Sequence, residues 1–409
     1  MYSFQFQPRL YDRRVAVFYS VYFIYYGAYA LFSSYIVSYL TTCGLSATVC
    51  GIVTSFMLLT NIIMQPVSGF LTDSFLTVKR YLIFASGFLV IWYAFIHIVR
   101  SKIILCVIMI VVSAGFSYPF IQLMDAWVTD AAEQINSGIV YSKIRAIGSI
   151  GFAIISWVAG YYFENNGYEF YFLIQAALFI LIIPFLKCLP EIVPGNKKNT
   201  SEKIVQSQLT MQESFKILFR NVRFKLCTIL FILYWMSHRP IGSFLALFCR
   251  QYDNGDILFG HVCASGAIGE FLMLFCAERI RQMTSLRTEC TLALLLNLFR
   301  PVMIMVFPSE GSLYFGQILQ SFSFAMYFDV SVELFSLYAD KRLHNFTVSM
   351  GLMVSNVIGT LSANILGGKL YDLFGVKGNL WLSFVGSILL IILYFLVYSH
   401  LFMIKKTEG

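Results

Sequence analysis

The chain is 409 residues long, 58% hydrophobic, 17% aromatic and only 12% charged, against about 25% charged residues in a soluble domain, which excludes a soluble globular protein and points to a membrane protein. Lysine and arginine exceed aspartate and glutamate by 29 − 21 = 8, and since the basic residues gather in alternate polar breaks, the surplus reports membrane topology rather than nucleic-acid binding. Nine cysteines with no CxxC pair, most of them inside apolar runs, suit packing and indicate neither a disulfide framework nor a metal site.

Twelve apolar runs follow one another with short polar breaks: residues 15–40, 48–72, 81–99, 104–129, 138–163, 168–187, 224–249, 257–278, 288–307, 311–337, 345–370 and 379–404. Each is long enough for a hydrocarbon core about 30 Å thick, which takes roughly 20 residues. Lipid offers backbone groups no partner, so each run is expected as a helix. The first run follows "RLYDRR" but lacks a small-residue cleavage site, so it is expected as a retained helix rather than a signal peptide. Arg9, Arg13, Arg14, Lys79, Arg80, Lys187, Lys197, Lys198, Lys203, Lys216, Arg220, Arg223, Arg279, Arg281, Arg287, Lys341, Arg342, Lys405 and Lys406 fall at the termini or in the even-numbered loops. The odd loops hold few basic residues: Arg100, Lys102, Arg250, Lys369 and Lys377. The positive-inside rule therefore puts both termini in the cytoplasm of a multi-pass cell-membrane protein.

Run 1 sets Tyr22, Tyr25, Tyr26 and Tyr29 within two turns, either as packing or as a hydroxyl-lined wall. A charge at the centre of a membrane helix costs roughly 2.5–3.5 kcal/mol, which singles out Asp125, Arg145, Arg239, Glu270, Arg300, Asp329 and Glu333. Asp125, late in inward-running run 4, and Arg145, about two turns into outward-running run 5, reach similar depth. So do Glu270 in run 8 and Arg300 in run 9. Salt bridges between neighbouring helices are the simpler role for either pair; two such pairs in corresponding helices favour a functional one. In run 7, His238 and Arg239 precede Pro240, which frees a carbonyl one turn back and permits a kink.

The longest polar stretch, 190–214, separates six runs from six, giving an expected N-terminal bundle 1–187, a cytoplasmic linker 188–222 and a C-terminal bundle 223–409. Gly151, Gly160 and Gly167 recur as Gly359, Gly368 and Gly375 at an offset of 208, Gly51 as Gly260 at 209, and Asp125 as Asp329 at 204. Small residues let membrane helices approach closely, and a shared offset is the mark of duplication. The expected fold is an all-α membrane protein of twelve transmembrane helices in two six-helix halves related by a pseudo-two-fold axis, the architecture of a rocking secondary transporter with a midplane site.

"LMDAWVTD" (123–130), "YSKIRAIGSIGFA" (141–153), "GAIGEFLML" (266–274) and "LFRPVMIM" (298–305), with "YYGAYALF" (25–32) and "QPVSGFLTD" (65–73), resemble the lactose permease and phenylpropionate transporter branch of the major facilitator superfamily over nearly the whole chain. The resemblance implies alternating-access, proton-coupled uptake of a neutral polyhydroxylated solute such as a sugar or oligosaccharide. It carries substrate binding onto Asp125, Arg145 and Phe152. Arginine offers a rigid fork of donors and a carboxylate accepts from hydroxyls, so the pair suits a vicinal diol. The helix 10 coupling residues of that branch are replaced here by Gln320, Ser323 and Met326, which leaves Glu270, Arg300 and Asp329 as the proton-coupling candidates.

"AMYFDVSVELF" (325–335), together with Arg145, Ser149 and Phe152, also resembles the nucleoside permeases of the superfamily, which lack the run 4 acid. A nucleoside:proton symporter is the alternative; an aromatic-acid transporter and an uncoupled facilitator stand behind it. Gly69 and Asp73, with the basic pair Lys79 and Arg80, keep part of the superfamily's conformational loop but lack its central Gly and Arg. No Walker A, GxSxG or HExxH pattern occurs, so neither an enzyme nor an ATP-driven pump is expected. No cofactor, metal or nucleic acid is expected either. The partners implied are a small-molecule substrate, protons and the lipid bilayer, with the chain a monomer.

Overall fold

The structure, a computed structural model, describes residues 13–135, 140–191, 211–340 and 343–402. They form sixteen helices: α1 (Arg13–Ser34), α2 (Ile36–Thr42), α3 (Ala47–Ser74), α4 (Val78–Val99), α5 (Ile103–Ser117), α6 (Pro119–Ile135), α7 (Tyr141–Asn166), α8 (Tyr171–Cys188), α9 (Met211–Arg220), α10 (Val222–Ser243), α11 (Leu245–Cys249), α12 (Gly255–Met283), α13 (Leu286–Val306), α14 (Glu310–Leu337), α15 (His344–Phe374) and α16 (Val376–Phe402). Within the described residues, each of the twelve apolar runs is largely helical. Among the described residues, ten segments are long and apolar enough to cross a membrane. Runs seven and ten, in α10 and α14, fall outside those ten because Ser237, His238 and Arg239 in one, and Gln317, Gln320 and Asp329 in the other, lower their hydropathy.

Three runs are broken helices. Run 4 divides at Tyr118, since Pro119 takes the first position of α6, where no N–H is needed, while the Tyr118 N–H still closes α5 on the Ala114 carbonyl at 3.0 Å. Runs 1 and 7 divide at Tyr35 and Phe244. Of the expected linker 188–222, residues 192–210 lie outside the described residues, as do Arg9, Lys197, Lys198, Lys203, Lys341, Arg342, Lys405 and Lys406.

The chain forms two compact units: Met1–Phe32, Thr60–Ile155 and Glu169–Lys197 in the first, Ser33–Leu59, Ser156–Tyr168 and Lys198–Gly409 in the second. In the first, Tyr93 of α4 packs on Phe172 and Phe179 of α8 with ring centres 5.9 and 6.0 Å apart. Tyr25 of α1 stacks on Phe120 of α6 at 4.8 Å. The outer face of α4 presents Phe84, Ile91, Phe95 and Ile98, all 52–73% exposed, an apolar stripe that suits lipid and not water. The second unit is built around Tyr234 of α10 stacked on Tyr327 of α14 at 3.7 Å, with Leu230, Phe231, Leu334 and Phe335 buried around them.

The repeated glycines make matched contacts. A methyl group on Gly151 of α7 would sit 2.3 Å from the Phe23 carbonyl oxygen of α1, and one on Gly359 of α15 would sit 2.4 Å from Trp235 Cβ of α10. In the second unit, the Cβ positions of Gly51 and Gly368 lie 2.2 Å from the Asn364 oxygen and 2.5 Å from the Ala47 oxygen, so α3 and α15 cross backbone on backbone. Gly160 and Gly260 do the same for α7 and α12, at 2.6 Å from the Asp256 oxygen and 2.5 Å from the Ser156 oxygen. Gly167 and Gly375, with φ of +67° and +62°, follow α7 and α15 at a positive φ that glycine adopts without a Cβ penalty.

Candidate functional site

In the first unit α1, α6 and α7 bring their polar residues together. The Tyr22 hydroxyl donates to Asp125 Oδ1 at 2.7 Å, and the Tyr22 ring stacks on Tyr26 with centres 6.0 Å apart. The Arg145 guanidinium lies 4.4 Å from the centre of the Tyr26 ring, a cation–π contact that gains strength where water is scarce. Tyr141, one turn before Arg145, stands on the same side of α7. Carboxylate and guanidinium are thus joined through tyrosines.

Further along α7, Ser149 is buried and Phe152 is half-buried, its ring centre 6.4 Å from that of Tyr29. Tyr29 in turn meets Tyr25 at 6.4 Å and Tyr118 at 5.9 Å. The arrangement offers a donor fork and an acid acceptor at one level, and aromatic faces two turns further along the same helices. Asp125, Arg145, Ser149 and Phe152 therefore share one neighbourhood with the run 1 tyrosines. Two members escaped the sequence reading. Tyr141 stands one turn before Arg145, a spacing that puts both on one face. Gly148 has a Cβ position 2.6 Å from Tyr26 Cδ2, so only glycine admits that ring beside Arg145. Gly148→Ala is expected to push Tyr26 off the guanidinium and to lower substrate affinity roughly tenfold, as an overpacking cost of about 1–3 kcal/mol implies; ligand titration of the purified variant measures it.

The second unit contains a different polar cluster. Arg300 of α13 is 2% exposed and donates to Gln317 Oε1 of α14 and, at 3.5 Å, to the His238 carbonyl of α10. Its Nε is buried without a hydrogen-bond partner. His238 Nδ1 meets Asn297 Oδ1 at 3.1 Å, and the Asn297 amide donates to Ser237 at 2.8 Å and Ser387 at 3.0 Å. Arg239 stacks over Trp235, 4.6 Å from the ring centre.

The expected pairing of Glu270 with Arg300 is corrected here. A neutral amide, Gln317, takes the guanidinium, and Glu270 is exposed on α12 instead. Asp329 and Glu333 of α14 both face Arg281, at 3.7 and 2.9 Å, with side chains 39% and 43% exposed. Gln317 and Asn297 were missed because a search for charges passes over uncharged amides, although an amide in a membrane helix equally needs a partner.

Gly69 and Asp73, expected in a loop, fall in the last turns of α3, where Asp73 is exposed and the Thr72 hydroxyl donates to the Gly69 carbonyl at 2.9 Å. The basic pair beside them binds the end of α8: Lys79 Nζ donates to the Lys187 carbonyl at 2.8 Å, and Arg80 pairs with Glu191 at 2.6 Å. Cations at a helix C-terminus complement its dipole.

The chain matches the model of the MFS_1 like family over residues 16–382. No curated protein matches it. Its fold superposes on the crystal structure of the nucleoside transporter NupG with a TM-score of 0.79 at 17% identity, over 96% of this chain and 99% of that one. The peptide transporter POT (E310Q mutant, with alafosfalin) gives 0.71 at 12%, over 95% and 94%. A bacterial homolog of the human lysosomal transporter Spinster, inward-facing and unoccupied, gives 0.67 at 14%, over 97% and 98%. The molecule is a multi-pass membrane transporter and not an enzyme. With the match running from inside α1 to inside α16, the chain belongs to the MFS_1 like family.

Proposed function

We propose that the protein carries a neutral, polyhydroxylated solute with a flat ring across the membrane by alternating access, that a nucleoside is the substrate class, and that protons drive uptake. One observation carries this reading: Asp125 and Arg145 are joined through Tyr22 and Tyr26, with Tyr29 and Phe152 paired two turns further along the same helices. The guanidinium fork and the carboxylate suit the two hydroxyls of a ribose, and the aromatic faces suit a base. Asp125 and Arg145 together carry no net charge, which favours a neutral solute over an aromatic carboxylate. The fold likeness to NupG, a nucleoside transporter, supports the choice. A sugar or oligosaccharide is the second reading, favoured by Asp125 itself, the acid that the sugar permeases have and the nucleoside permeases lack.

Proton coupling is assigned to Glu270. It shares a helical stripe with Asp256 and Cys263, fourteen and seven residues earlier, yet those two are buried and Glu270 is exposed. In this reading Asp329, on α14 that packs against α12, and Arg300, on α13 beyond it, are the charges that bias it. On the same reading Gly69 and Asp73, at the end of α3, help set the conformational balance, the chain acts as a monomer in the cell membrane, and both termini are cytoplasmic.

The test is thermal stabilisation of the purified protein by nucleosides, disaccharides and phenylpropionate, followed by pH recording of lightly buffered cells. Stabilisation by nucleosides and alkalinisation on their addition are expected. Stabilisation by disaccharides alone moves the assignment to the second reading, and stabilisation by none of the three overturns both. Accumulation without alkalinisation removes the proton.

A further inference from the structure

We propose that Glu164 and Asp372 are a matched pair of interhelical latches, each an acid at the end of one helix that caps the start of another, and that together they set how readily the transporter opens at its odd-loop face. Asp372, three residues before Gly375, accepts from the Ala47 and Thr48 backbone N–H groups, both at 2.9 Å, and from the Thr48 hydroxyl. Ala47 and Thr48 are the first two residues of α3. Glu164, three residues before Gly167, accepts from the Asp256 N–H at 2.8 Å. Asp256 is the second residue of α12. The two acids stand 208 residues apart, the same offset as Gly151/Gly359, Gly160/Gly368 and Gly167/Gly375.

The physical reason for an acid at these places is local. The first N–H groups of a helix have no partner in their own helix and carry partial positive charge. An ordinary cap comes from the residue just before the helix; here it comes from another helix, so the bond exists only while the two helix ends stay together. The backbone crossings at Gly51/Gly368 and Gly160/Gly260 hold the same two helix pairs. Arg250 connects the two latches: it donates to Thr41 at 2.9 Å, at the end of the segment leading to α3, and pairs with Asp256 at 3.3 Å. Opening this face releases both caps, and the freed N–H groups pass to water. Each latch therefore biases the exchange without blocking it. Glu164 and Asp372 are positioning residues of the transport cycle, separate from the substrate cluster.

Native thiols report the opening. Cys50, two residues along α3 from Thr48, is 0% exposed, and Cys263, two turns along α12 from Asp256, is 7% exposed. Cys227 and Cys290, in the core of the second unit, are 0% and 2% exposed and serve as controls for unfolding. Maleimide labelling of the full-length protein in liposomes is followed thiol by thiol by peptide mass spectrometry, in wild type, Asp372→Asn, Glu164→Gln and the double variant. Asn and Gln keep the side-chain shape and one acceptor, so folding is retained. Each single variant is expected to speed alkylation of both Cys50 and Cys263 by roughly 2- to 30-fold, the range that losing a cap gives, and the double variant by the product of the two factors. Cys227 and Cys290 are expected to stay unreactive. If each substitution speeds only the thiol beside it, the caps fray independently and the paired latch is wrong. If neither thiol changes, or if Cys227 and Cys290 accelerate equally, the acids do not govern opening and the proposal is overturned.

Discussion

Arg145→Lys is expected to leave the transporter folded while weakening substrate binding by roughly 10- to 150-fold, the loss that removing charge-assisted hydrogen bonds of about 1.5–3 kcal/mol produces. Lysine keeps the charge, and its ammonium can still lie over the Tyr26 ring that Arg145 now covers at 4.4 Å. What it cannot do is present two parallel donors in a fixed plane. Asp125→Ala is expected to match it from the acceptor side, and the variant also leaves the Tyr22 hydroxyl without its 2.7 Å partner. Equilibrium binding of labelled substrate to purified protein, with circular dichroism confirming fold, measures both. Affinity unchanged in both variants would make the pair a structural tie between α6 and α7.

Gly51→Val is expected to cost more, because what it meets is backbone. Its Cβ position is 2.2 Å from the Asn364 carbonyl oxygen and 2.9 Å from the carbonyl carbon, and neither can rotate away as a side-chain tip would. The helices α3 and α15 must then part, taking with them the Asp372 bonds to Ala47 and Thr48. Overpacking of a tight contact costs about 1–3 kcal/mol or more, so uptake into cells is expected to fall at least tenfold at equal membrane expression. Gly87→Val on α4 is the control, since nothing lies within 4 Å of its Cβ position. Equal uptake by the Gly51 and Gly87 variants would show that the close crossing is dispensable.

The twelve helices were legible in the sequence because the demand that makes them is local: lipid gives a backbone no hydrogen bonds, so each apolar run must satisfy its own. The duplication was legible too, since Gly151 and Gly359, or Gly160 and Gly368, announce themselves by offset before their contacts are known. The break at Pro119 follows from the chemistry of one residue, whereas those at Tyr35 and Phe244 have no such local mark.

Partnership was a different matter. Position along a helix, about 1.5 Å per residue, set the expected depths at which Asp125 would meet Arg145 and Glu270 would meet Arg300. The direction in which a side chain leaves its helix relative to its neighbours depends on how those helices pack. That rotation gave Asp125 to Tyr22, Arg300 to Gln317 and Asp329 to Arg281. The same holds for Glu164 and Asp372. Read in sequence they are ordinary charges at helix ends; each becomes a cap only because a glycine crossing sets the first turn of another helix against it. The sequence by itself determined which segments are apolar helices, because that follows from solvation of each segment alone; the tertiary structure decided which polar groups answer one another, because a hydrogen bond is settled within a few tenths of an ångström by the packing of both helices.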